Sequence, residues 1–486
     1  MSDAKFVEGS TLKHIAVMTS TAGIGLMALF VVDLVDLFFL SLLGEQELAA
    51  AVGYAGTISF LTSSICIGMA IAMAALVARA VGAGAGDDAK RYVAHVSIVT
   101  LALTIPLAAG FWLTAPYLLT LIGAVGRTHE LATSFLRILL PSMPVLALAM
   151  ASGGVLRAIG AAKLAMSATL AGGLANAIID PILIFGFDMG IAGAAWASVV
   201  ARCTVFAVGA YGVLKSDLLG GADWSAFGGD LKRISALAGP AILTNIATPI
   251  GNSYVTATMA GFGDDAVAAY SIIGRIIPVA FGVVFALSGA VGPVIGQNFG
   301  AGKLDRARQS LLDALLIGTA TVLFSALMIY VFRADIADAF STSPGARLVW
   351  EFFATFVAAQ WIFVGAQFIA HAAFNNLGRP LWSTWSNWGR ATLGTFPLVW
   401  LGAEIMGPNG VLLGHAAGGV VFGIGAFIVA WRMCELKPAP GMAAEPVRMF
   451  RVPLSAQTEY RGWMGMYGCD EEERAGDADK DTADAA

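Results

Sequence analysis

The stretch IAVMTSTAGIGLMALFVVDLVDLFFLSLL, residues 15–43, carries no charge apart from two aspartates, Asp33 and Asp36. About 20 residues of α-helix cross the roughly 30 Å hydrocarbon core of a bilayer, so this run is long enough to span one. An ionised carboxylate at the centre of such a helix costs about 2.5–3.5 kcal/mol and needs a partner, a proton or water. The stretch therefore predicts a membrane-spanning helix whose two acids require an explanation.

The whole chain has the composition of a membrane protein. Hydrophobic residues make up 58% of its 486 residues and charged residues 13%, and the mean hydropathy is +0.77. A soluble chain of this length has about 45–50% apolar and about 25% charged residues, and forms about three domains. The composition therefore excludes a soluble protein, and we expect no nucleic-acid partner.

Apolar runs recur along nearly the whole sequence, and twelve of them are long enough to span a bilayer. The predicted spans are residues 15–43, 49–78, 93–114, 133–156, 164–186, 191–214, 234–260, 266–296, 310–332, 350–374, 381–403 and 409–433. A membrane β-barrel requires short strands of alternating polarity, which these continuous runs lack. We predict an all-α polytopic protein with twelve transmembrane helices, located in the cell (inner) membrane.

An internal repeat recurs at a spacing of about 218 residues. LKHIAVMTS at residue 12 returns in outline as LKRISALAG at residue 231, and VGAGAGDDAKR at residue 81 returns as FGAGKLDRARQ at residue 299. Each copy holds six helices, an even number, so the copies have the same orientation and are related about an axis along the membrane normal. Such a duplication suits two pseudo-symmetric lobes that rock around a central cavity, which favours a transporter.

The repeat also divides the chain into parts. We predict a cytoplasmic N-terminus at 1–14, an N-terminal lobe at 15–215, a cytoplasmic linker at 216–233, a C-terminal lobe at 234–435 and a cytoplasmic tail at 436–486. The end of the tail, CDEEERAGDADKDTADAA, is highly charged and of low hydrophobicity, which is typical of disordered segments. The four cysteines are scattered and show no metal-binding spacing, so we expect no cofactor.

Lysine and arginine in the short loops indicate the orientation, because cytoplasmic loops carry an excess of these residues. If the N-terminus is inside, the outside loops hold only Arg127, Arg333 and Arg347. The inside segments then hold Lys5, Lys13, Lys90, Arg91, Arg157, Lys163, Lys215, Lys232, Arg233, Lys303, Arg306, Arg308 and Arg379. This asymmetry predicts that both termini are cytoplasmic.

Three acids lie deep in the predicted spans, namely Asp33, Asp36 and Asp180. Asp33 and Asp36 are three residues apart, and Asn176 and Asp180 are four apart, so each pair shares a helix face. Pro181 cannot donate a hydrogen bond to the preceding turn, which leaves a carbonyl oxygen beside Asp180. Such a group is suited to a shared proton, or to Na⁺ held by carboxylate, amide and carbonyl oxygens. The alternatives are that these acids only bond neighbouring helices, or that Asp33 is solvated near the outer mouth.

Four motifs together resemble the multidrug and toxic compound extrusion (MATE) transporters, over residues from about 12 to 435. They are VDLFFLSLLGEQELAAAVG in helix one and its turn, RAIGAAKLAM after helix four, NAIIDPILIFGFDMGIAGAAWAS across helices five and six, and GQNFGAGK after helix eight. The resemblance implies a V-shaped pair of six-helix lobes. It also implies export of organic, often cationic or amphipathic, compounds in exchange for H⁺ or Na⁺.

The DinF-like and archaeal-like branches of that family hold their coupling site in the N-terminal lobe. The resemblance implies that the site here consists of Asp36 on helix one, Asn176 and Asp180 on helix five, and Ser198 on helix six, with Asp33 nearby. Na⁺ would then be held by Asp36, Asn176 and Asp180. Protonation in such members is thought to bend helix one and displace the substrate.

Another branch of the family uses acids on helices seven and ten of the C-terminal lobe. Predicted helix seven has no acid here, and helix ten offers Gln360, Gln367 and His371, with Glu351 only at its start. In the repeat, Asp36 falls opposite Tyr254 or Val255. These differences favour coupling in the N-terminal lobe.

Two other functions agree less well with the sequence. GFGD at residues 261–264 matches the signature of intramembrane aspartyl proteases, but the repeat predicts a water-exposed turn there, so we predict no enzyme. A lipid-linked precursor flippase would also have paired lobes, but its cationic cavity is not indicated because basic residues lie mainly in loops. No phosphate-binding loop is present, so ATP does not drive transport directly. The sequence predicts a monomeric antiporter for a small molecule, with lipid as its other partner.

Overall fold

The computed structural model describes residues 4–41 and 46–434, without the side chains of residues 33–38, 40, 41, 46 and 49. The predicted tail, 436–486, lies outside the described residues. Within the described part every regular element is a helix, and the all-α prediction is confirmed. Apolar side chains line the contacts between helices throughout, because most residues of these spans are apolar.

Seven α-helices form the N-terminal lobe and nine form the C-terminal lobe of the described chain. The first seven are α1 (Thr11–Ser41), α2 (Gln46–Gly82), α3 (Gly86–Leu121), α4 (Gly126–Leu139), α5 (Met143–Ala158), α6 (Ala162–Pro181) and α7 (Gly190–Lys215). The others are α8 (Phe227–Ala260), α9 (Asp264–Ala280), α10 (Gly282–Gly300), α11 (Leu304–Val331), α12 (Arg333–Ala339), α13 (Pro344–Phe352), α14 (Trp361–Asn376), α15 (Leu381–Ala391) and α16 (Phe396–Met433). Short 3₁₀ or π-helical turns join several of them into longer spans.

Eleven helical segments of the described residues are long and apolar enough to cross a membrane. The last of them, Leu381–Met433, is 53 residues long and far exceeds the bilayer thickness. It reverses direction at Gly407, which has φ 57° and ψ −138°. A Cβ atom on Gly402 would lie 2.0 Å from the carbonyl oxygen of Gly410, so the two halves pack against each other. This segment therefore makes two passes, and the twelve predicted spans are confirmed.

The predicted repeat is present in the positions of the helices. The 3₁₀ turn Leu140–Ser142 with α5 after it corresponds to the 3₁₀ turn Ala358–Gln360 with α14 after it, 218 residues later. Helix α2 ends at Gly82 and α10 ends at Gly300, again 218 residues apart. This break and this helix end therefore follow the duplication, as the spans do.

The two lobes meet through α1 and α2 of the first and α8 and α10 of the second. The closest approach lies at the end of the bundle that carries most of the basic loops, which we call the basic end. A Cβ atom on Gly82 would lie 2.1 Å from the carbonyl oxygen of Gln297, and one on Gly300 would lie 2.2 Å from that of Arg79. These two contacts are reciprocal, because Gln297 is the repeat equivalent of Arg79. The lobes are therefore closed against each other at the basic end.

Candidate functional site

The predicted coupling site is centred on the end of α6. Asn176 and Asp180 lie one helical turn apart and are buried, with 4% and 0% of their surface exposed. The α-helix ends at Pro181 and continues as a π-helical turn, Ile182–Gly186. Pro181 has no N–H to donate to the preceding turn, and π-helical turns are frequent at functional sites. A buried carboxyl group therefore lies beside a local break in the helix.

Helix α1 packs against α6. A Cβ atom on Gly173 of α6 would lie 3.3 Å from Cγ2 of Val32 on α1. Asp33 and Asp36 follow Val32 on the same helix, within about one turn. Their side chains lie outside the described residues. That Asp36 completes the site, and that Asp33 lies nearby, therefore stays a prediction.

Helix α7 packs against the broken end of α6. A Cβ atom on Gly193 would lie 2.8 Å from the carbonyl carbon of Leu183, so the glycine permits this close approach. Ser198 lies further along α7 and is partly buried. The three helices predicted to hold the site, α1, α6 and α7, are therefore packed together. The binding of an ion to them remains a prediction.

The interior of the C-terminal lobe differs in charge. The only acid of α8, Asp230, lies in its first turn at the basic end. Glu351 of α13 accepts a hydrogen bond from Nε of Arg347 at 2.9 Å. Gln367 and His371 of α14 are 0% and 6% exposed. The buried polar side chains of α14 are therefore neutral or basic.

The sequence analysis missed a buried arginine in this lobe. Arg390, in the last turn of α15, is 7% exposed. Its Nη2 donates to Oγ1 of Thr248 at 3.4 Å and to Oδ1 of Asn387 at 3.3 Å. Its Nε has no hydrogen-bond partner among the described residues, and no described carboxylate lies within 4.0 Å. The detectable signal was a single basic residue, in WSNWGRA, within the predicted span 381–403.

Polar side chains from α8 and α15 surround Arg390. Nδ2 of Asn387 donates to the carbonyl oxygen of Thr244 at 2.5 Å and to Oγ1 of Thr248 at 3.1 Å. The span is broken beside them, because α15 ends at Ala391 and α16 begins at Phe396. Each lobe thus has a break in its fifth span, with an acid beside it in one lobe and a base in the other.

Two polar connections cross between the lobes at the basic end, and neither was predicted. In the first, Asp230 of α8 is 1% exposed and accepts hydrogen bonds from Nε of Arg91 and Nδ1 of His95 on α3, both at 2.8 Å. In the second, Asp313 of α11 accepts a hydrogen bond from Oγ1 of Thr11 on α1 at 2.5 Å. His95 and Asp313 are repeat equivalents, 218 residues apart. We call these connections the charged strut and the neutral-partner strut.

The N-terminal segment also ties the lobes together. Phe6 is 3% exposed, and a Cβ atom on Gly160 would lie 3.0 Å from its ring. Its N–H donates to Oε1 of Gln297 at 2.9 Å, and its carbonyl oxygen accepts from Nδ2 of Asn298 at 3.1 Å and from Nη2 of Arg306 at 3.0 Å. The segment therefore lies between the turn after α5 and the second lobe.

The GFGD segment has no buried pair of acids. Asp264 and Asp265 are both exposed and lie in the first turn of α9. Oδ1 of Asp265 accepts a hydrogen bond from Oγ of Ser343 at 2.5 Å. An aspartyl protease dyad requires two carboxyl groups that share a proton away from water. Two exposed acids at the start of α9 do not meet this requirement.

Comparison with known proteins identifies relatives over most of the chain. A family model described as MatE matches residues 22–182 and 240–401, one segment in each lobe. An FAD transporter of Shewanella oneidensis is 31% identical over 422 residues, which cover 85% of this chain and 92% of that protein. Multidrug export protein MepA of Staphylococcus saprophyticus is 26% identical over 337 residues, 67% of this chain and 72% of that protein.

Solved structures share the fold. The crystal structure of a mutant of the Vibrio cholerae MATE transporter VcmN superposes with a TM-score of 0.82 at 26% sequence identity, covering 87% of this chain and 96% of that chain. A MOP superfamily transporter from Pyrococcus furiosus superposes with a TM-score of 0.84 at 21% identity, covering 90% and 98% of the two chains. The two-lobe arrangement of twelve helices is therefore common to this chain and these transporters.

Proposed function

Because the chain belongs to the MATE family and is a membrane transporter rather than an enzyme, we propose that it is an antiporter that exports an organic compound in exchange for H⁺ or Na⁺. The observation that carries this proposal is the burial of Asp180 and Asn176 beside the break in α6. An ionisable residue within a membrane span marks a functional site by default. Inserting it costs free energy, and an apolar residue would fill the same space without that cost.

The coupling cation is taken up by Asp180 and Asn176 together with Asp36 and Ser198, and Asp33 lies at the edge of the site. An acid as buried as Asp180 is compatible with either a bound proton or a bound cation, since an ionised carboxylate without compensation is costly there. Carboxylate, amide and hydroxyl oxygens also suit a hard cation such as Na⁺. A gradient supplies about 2.3 kcal/mol per charge for each 100 mV.

Transport requires the lobes to open alternately at their two ends. The basic end is closed here by the reciprocal contacts of Gly82 and Gly300, by the two struts and by the N-terminal segment. By the positive-inside rule this end faces the cytoplasm, and both termini lie there. We propose that uptake of the cation in the N-terminal lobe favours release of cargo at the opposite end. A single chain contains both lobes, so it acts as a monomer in the lipid bilayer.

Two classes of cargo are candidates. The relatives named as multidrug export proteins suggest a cationic or amphipathic organic compound, the class that the sequence predicts. The relative named as an FAD transporter suggests a flavin nucleotide, which is anionic. The buried Arg390 favours this second candidate, because it offers positive charge inside the C-terminal lobe.

The test is transport by the purified protein in liposomes, with pH and sodium gradients imposed separately. Efflux of FAD and of a cationic dye is measured for wild type, Asp180→Asn and Asn176→Ala. We expect Asp180→Asn to lose gradient-driven efflux, and Asn176→Ala to lose at least about tenfold, the effect of one strong interaction. The control is Asp188→Asn, the same chemical change at an exposed residue eight positions further on. Full gradient-driven efflux by Asp180→Asn would reject the proposed coupling site.

A further inference from the structure

We propose that the C-terminal lobe contains a binding site for an anionic group of the transported compound, a phosphate or a carboxylate, with Arg390 as its charged partner and Thr248 and Asn387 as its polar walls. The inference rests on the proposed function, since it describes the cargo of the same transporter. It adds a second site of opposite charge, in the opposite lobe from the coupling cation.

The first argument is the missing countercharge. Arg390 is 7% exposed, and its hydrogen-bond partners among the described residues, Thr248 and Asn387, are neutral. A buried cation is costly unless an anion or strong hydrogen bonds compensate for its lost hydration. No described carboxylate lies within 4.0 Å of its side chain. An anionic ligand would provide the missing compensation.

The second argument is the geometry of the guanidinium. Its two hydrogen bonds both leave from Nη2, at 3.3 Å and 3.4 Å, and Nε is buried without a partner among the described residues. Nε and Nη2 form the fork that binds two oxygens of one carboxylate or phosphate. The two bonds from Nη2 are longer than the usual range of about 2.7–3.2 Å, so an oxyanion could replace them. Asn387 and Thr248 are themselves hydrogen-bonded to each other at 3.1 Å, which fixes the surroundings of the fork. Donors therefore remain available on Arg390 where an oxyanion would bind.

The third argument is a comparison with another arginine, in the N-terminal lobe. Arg202 of α7 also lies inside the bundle, but its Nη1 donates to the carbonyl oxygen of Leu139 at 3.2 Å and to Oγ of Ser142 at 2.8 Å. It therefore satisfies the backbone at the break between α4 and α5. Arg390 makes no hydrogen bond to a backbone carbonyl oxygen among the described residues, and the hydroxyl groups of Thr392 and Thr395 bond the carbonyl oxygens at the break beside it. Oγ1 of Thr395 donates to the carbonyl oxygen of Arg390 at 2.8 Å.

The location is also suited to a ligand. Helix α15 ends at Ala391, one residue after Arg390. Interrupted spans line the substrate and ion sites of many secondary transporters, because their free backbone ends and side chains point into a cavity. The fifth span of the other lobe is also interrupted, after Pro181 and beside Asp180.

The test uses two flavins that differ by one phosphate. Binding of FMN and of riboflavin to the purified protein is followed by quenching of tryptophan fluorescence at constant ionic strength. We expect wild type to bind FMN more tightly than riboflavin. Arg390→Gln should weaken FMN binding about tenfold, the effect of one charge-assisted hydrogen-bonded pair, and leave riboflavin binding unchanged. Arg390→Lys should retain part of the preference, because it keeps the charge but loses the fork.

The matched control is Arg202→Gln, which should change the binding of both flavins equally. A measurement on wild type alone covers the case in which the Arg390 variants do not fold, since inorganic pyrophosphate should compete with FMN and not with riboflavin. The proposal is overturned if wild type binds FMN no more tightly than riboflavin, if pyrophosphate does not compete, or if a folded Arg390→Gln affects both flavins alike.

These outcomes are separable from those of the coupling test. Asp180→Asn should still prefer FMN over riboflavin, because binding does not need the gradient. Gradient-driven efflux with no preference for FMN would refute the anion site and leave the antiporter standing. A preference for FMN that depends on Arg390, together with efflux that is insensitive to Asp180→Asn, would support the anion site and refute the proposed coupling site.

Discussion

The two lobes share one architecture and differ in the charge that each buries beside the break in its fifth span. In the first, Asp180 is 0% exposed at the point where α6 gives way to a π-helical turn. In the second, Arg390 is 7% exposed at the end of α15. Each lobe interrupts its fifth span, after Pro181 in the first and between Ala391 and Phe396 in the second, and the side chains beside the two interruptions have opposite charge. The fold therefore determines where a ligand can bind, and the residues at the breaks determine which ligand.

Residues that only shape the backbone should behave alike in the two lobes, whereas residues that carry charge should not. The reciprocal glycines, Gly82 and Gly300, belong to the first kind. The two struts, around Asp230 and Asp313, belong to the second. Substituting equivalent positions in parallel therefore tests which parts of the molecule are still symmetric.

The largest effect is expected from Gly82→Ala and Gly300→Ala. The added methyl groups would lie 2.1 Å and 2.2 Å from backbone oxygens of the other lobe, and backbone cannot move aside as a flexible side chain can. Overpacking of this kind costs about 1–3 kcal/mol. Both variants should leave the basic end unable to close and should lose most transport in liposomes, with lower melting temperatures.

The control for this pair is Gly239→Ala on α8. Nothing lies within 4 Å of its Cβ position, so the substitution should be neutral, or stabilising by up to about 1 kcal/mol because alanine favours helix. If Gly82→Ala is inactive and Gly300→Ala is fully active, the contact is not reciprocal, and the symmetry inferred for the basic end is wrong.

Substitutions in the struts should reduce transport less than the glycine substitutions do, but they should lower stability by unequal amounts. Asp230→Asn would leave the guanidinium of Arg91 without its carboxylate and the ring of His95 without a charged acceptor, and breaking a buried ion pair costs about 3–5 kcal/mol. Asp313→Asn removes a carboxylate that accepts from the neutral side chains of Thr11 and Gln309, which is worth about 1–3 kcal/mol. Melting temperatures measured for both variants should therefore fall further for Asp230→Asn. Equal decreases would mean that the ionic interaction in the charged strut contributes nothing to stability.

The sequence was sufficient to predict the spans, the repeat and the two lobes, because these depend on hydrophobicity summed over many residues. The turn at Gly407 also follows from the predicted spans that end at residue 403 and begin at residue 409. Ends of helices were less accurate. Helix α3 covers Gly86–Leu121 where 93–114 was predicted, since the helix continues past the apolar run at both ends.

The candidate site was predictable in part. Asp180 and Asn176 were identified as intramembrane polar residues in one apolar run, and both are buried. Arg390 was missed because a single arginine barely lowers the mean hydropathy of its span, and its significance depends on which acids are absent around it. The partners of Asp230 lie 135 and 139 residues away along the chain, so no local pattern indicates them.

The smallest effect is expected at the surface, where equivalent positions use different interactions. Nζ of Lys90 in α3 lies 2.8 Å from Oδ2 of Asp217 in the linker after α7. Its repeat equivalent, Arg308, lies over the ring of Trp431 at 3.9 Å. An exposed ion pair contributes little to stability and depends on pH, while a cation–π contact with arginine does not change near neutral pH.

The hydrogen bond from Lys90, and then its charge, hold the pKa of Asp217 below its ordinary value. A carboxyl group whose pKa is lower in the folded than in the unfolded protein stabilises the fold above its unfolded pKa. This stabilisation is lost as the pH falls through the folded pKa. Melting temperatures of wild type and Asp217→Asn should therefore differ slightly at pH 7 and converge in acid. Trp431→Leu should lower the melting temperature by the same amount at both pH values, and convergence of that variant with wild type in acid would contradict the assignment of the two contacts.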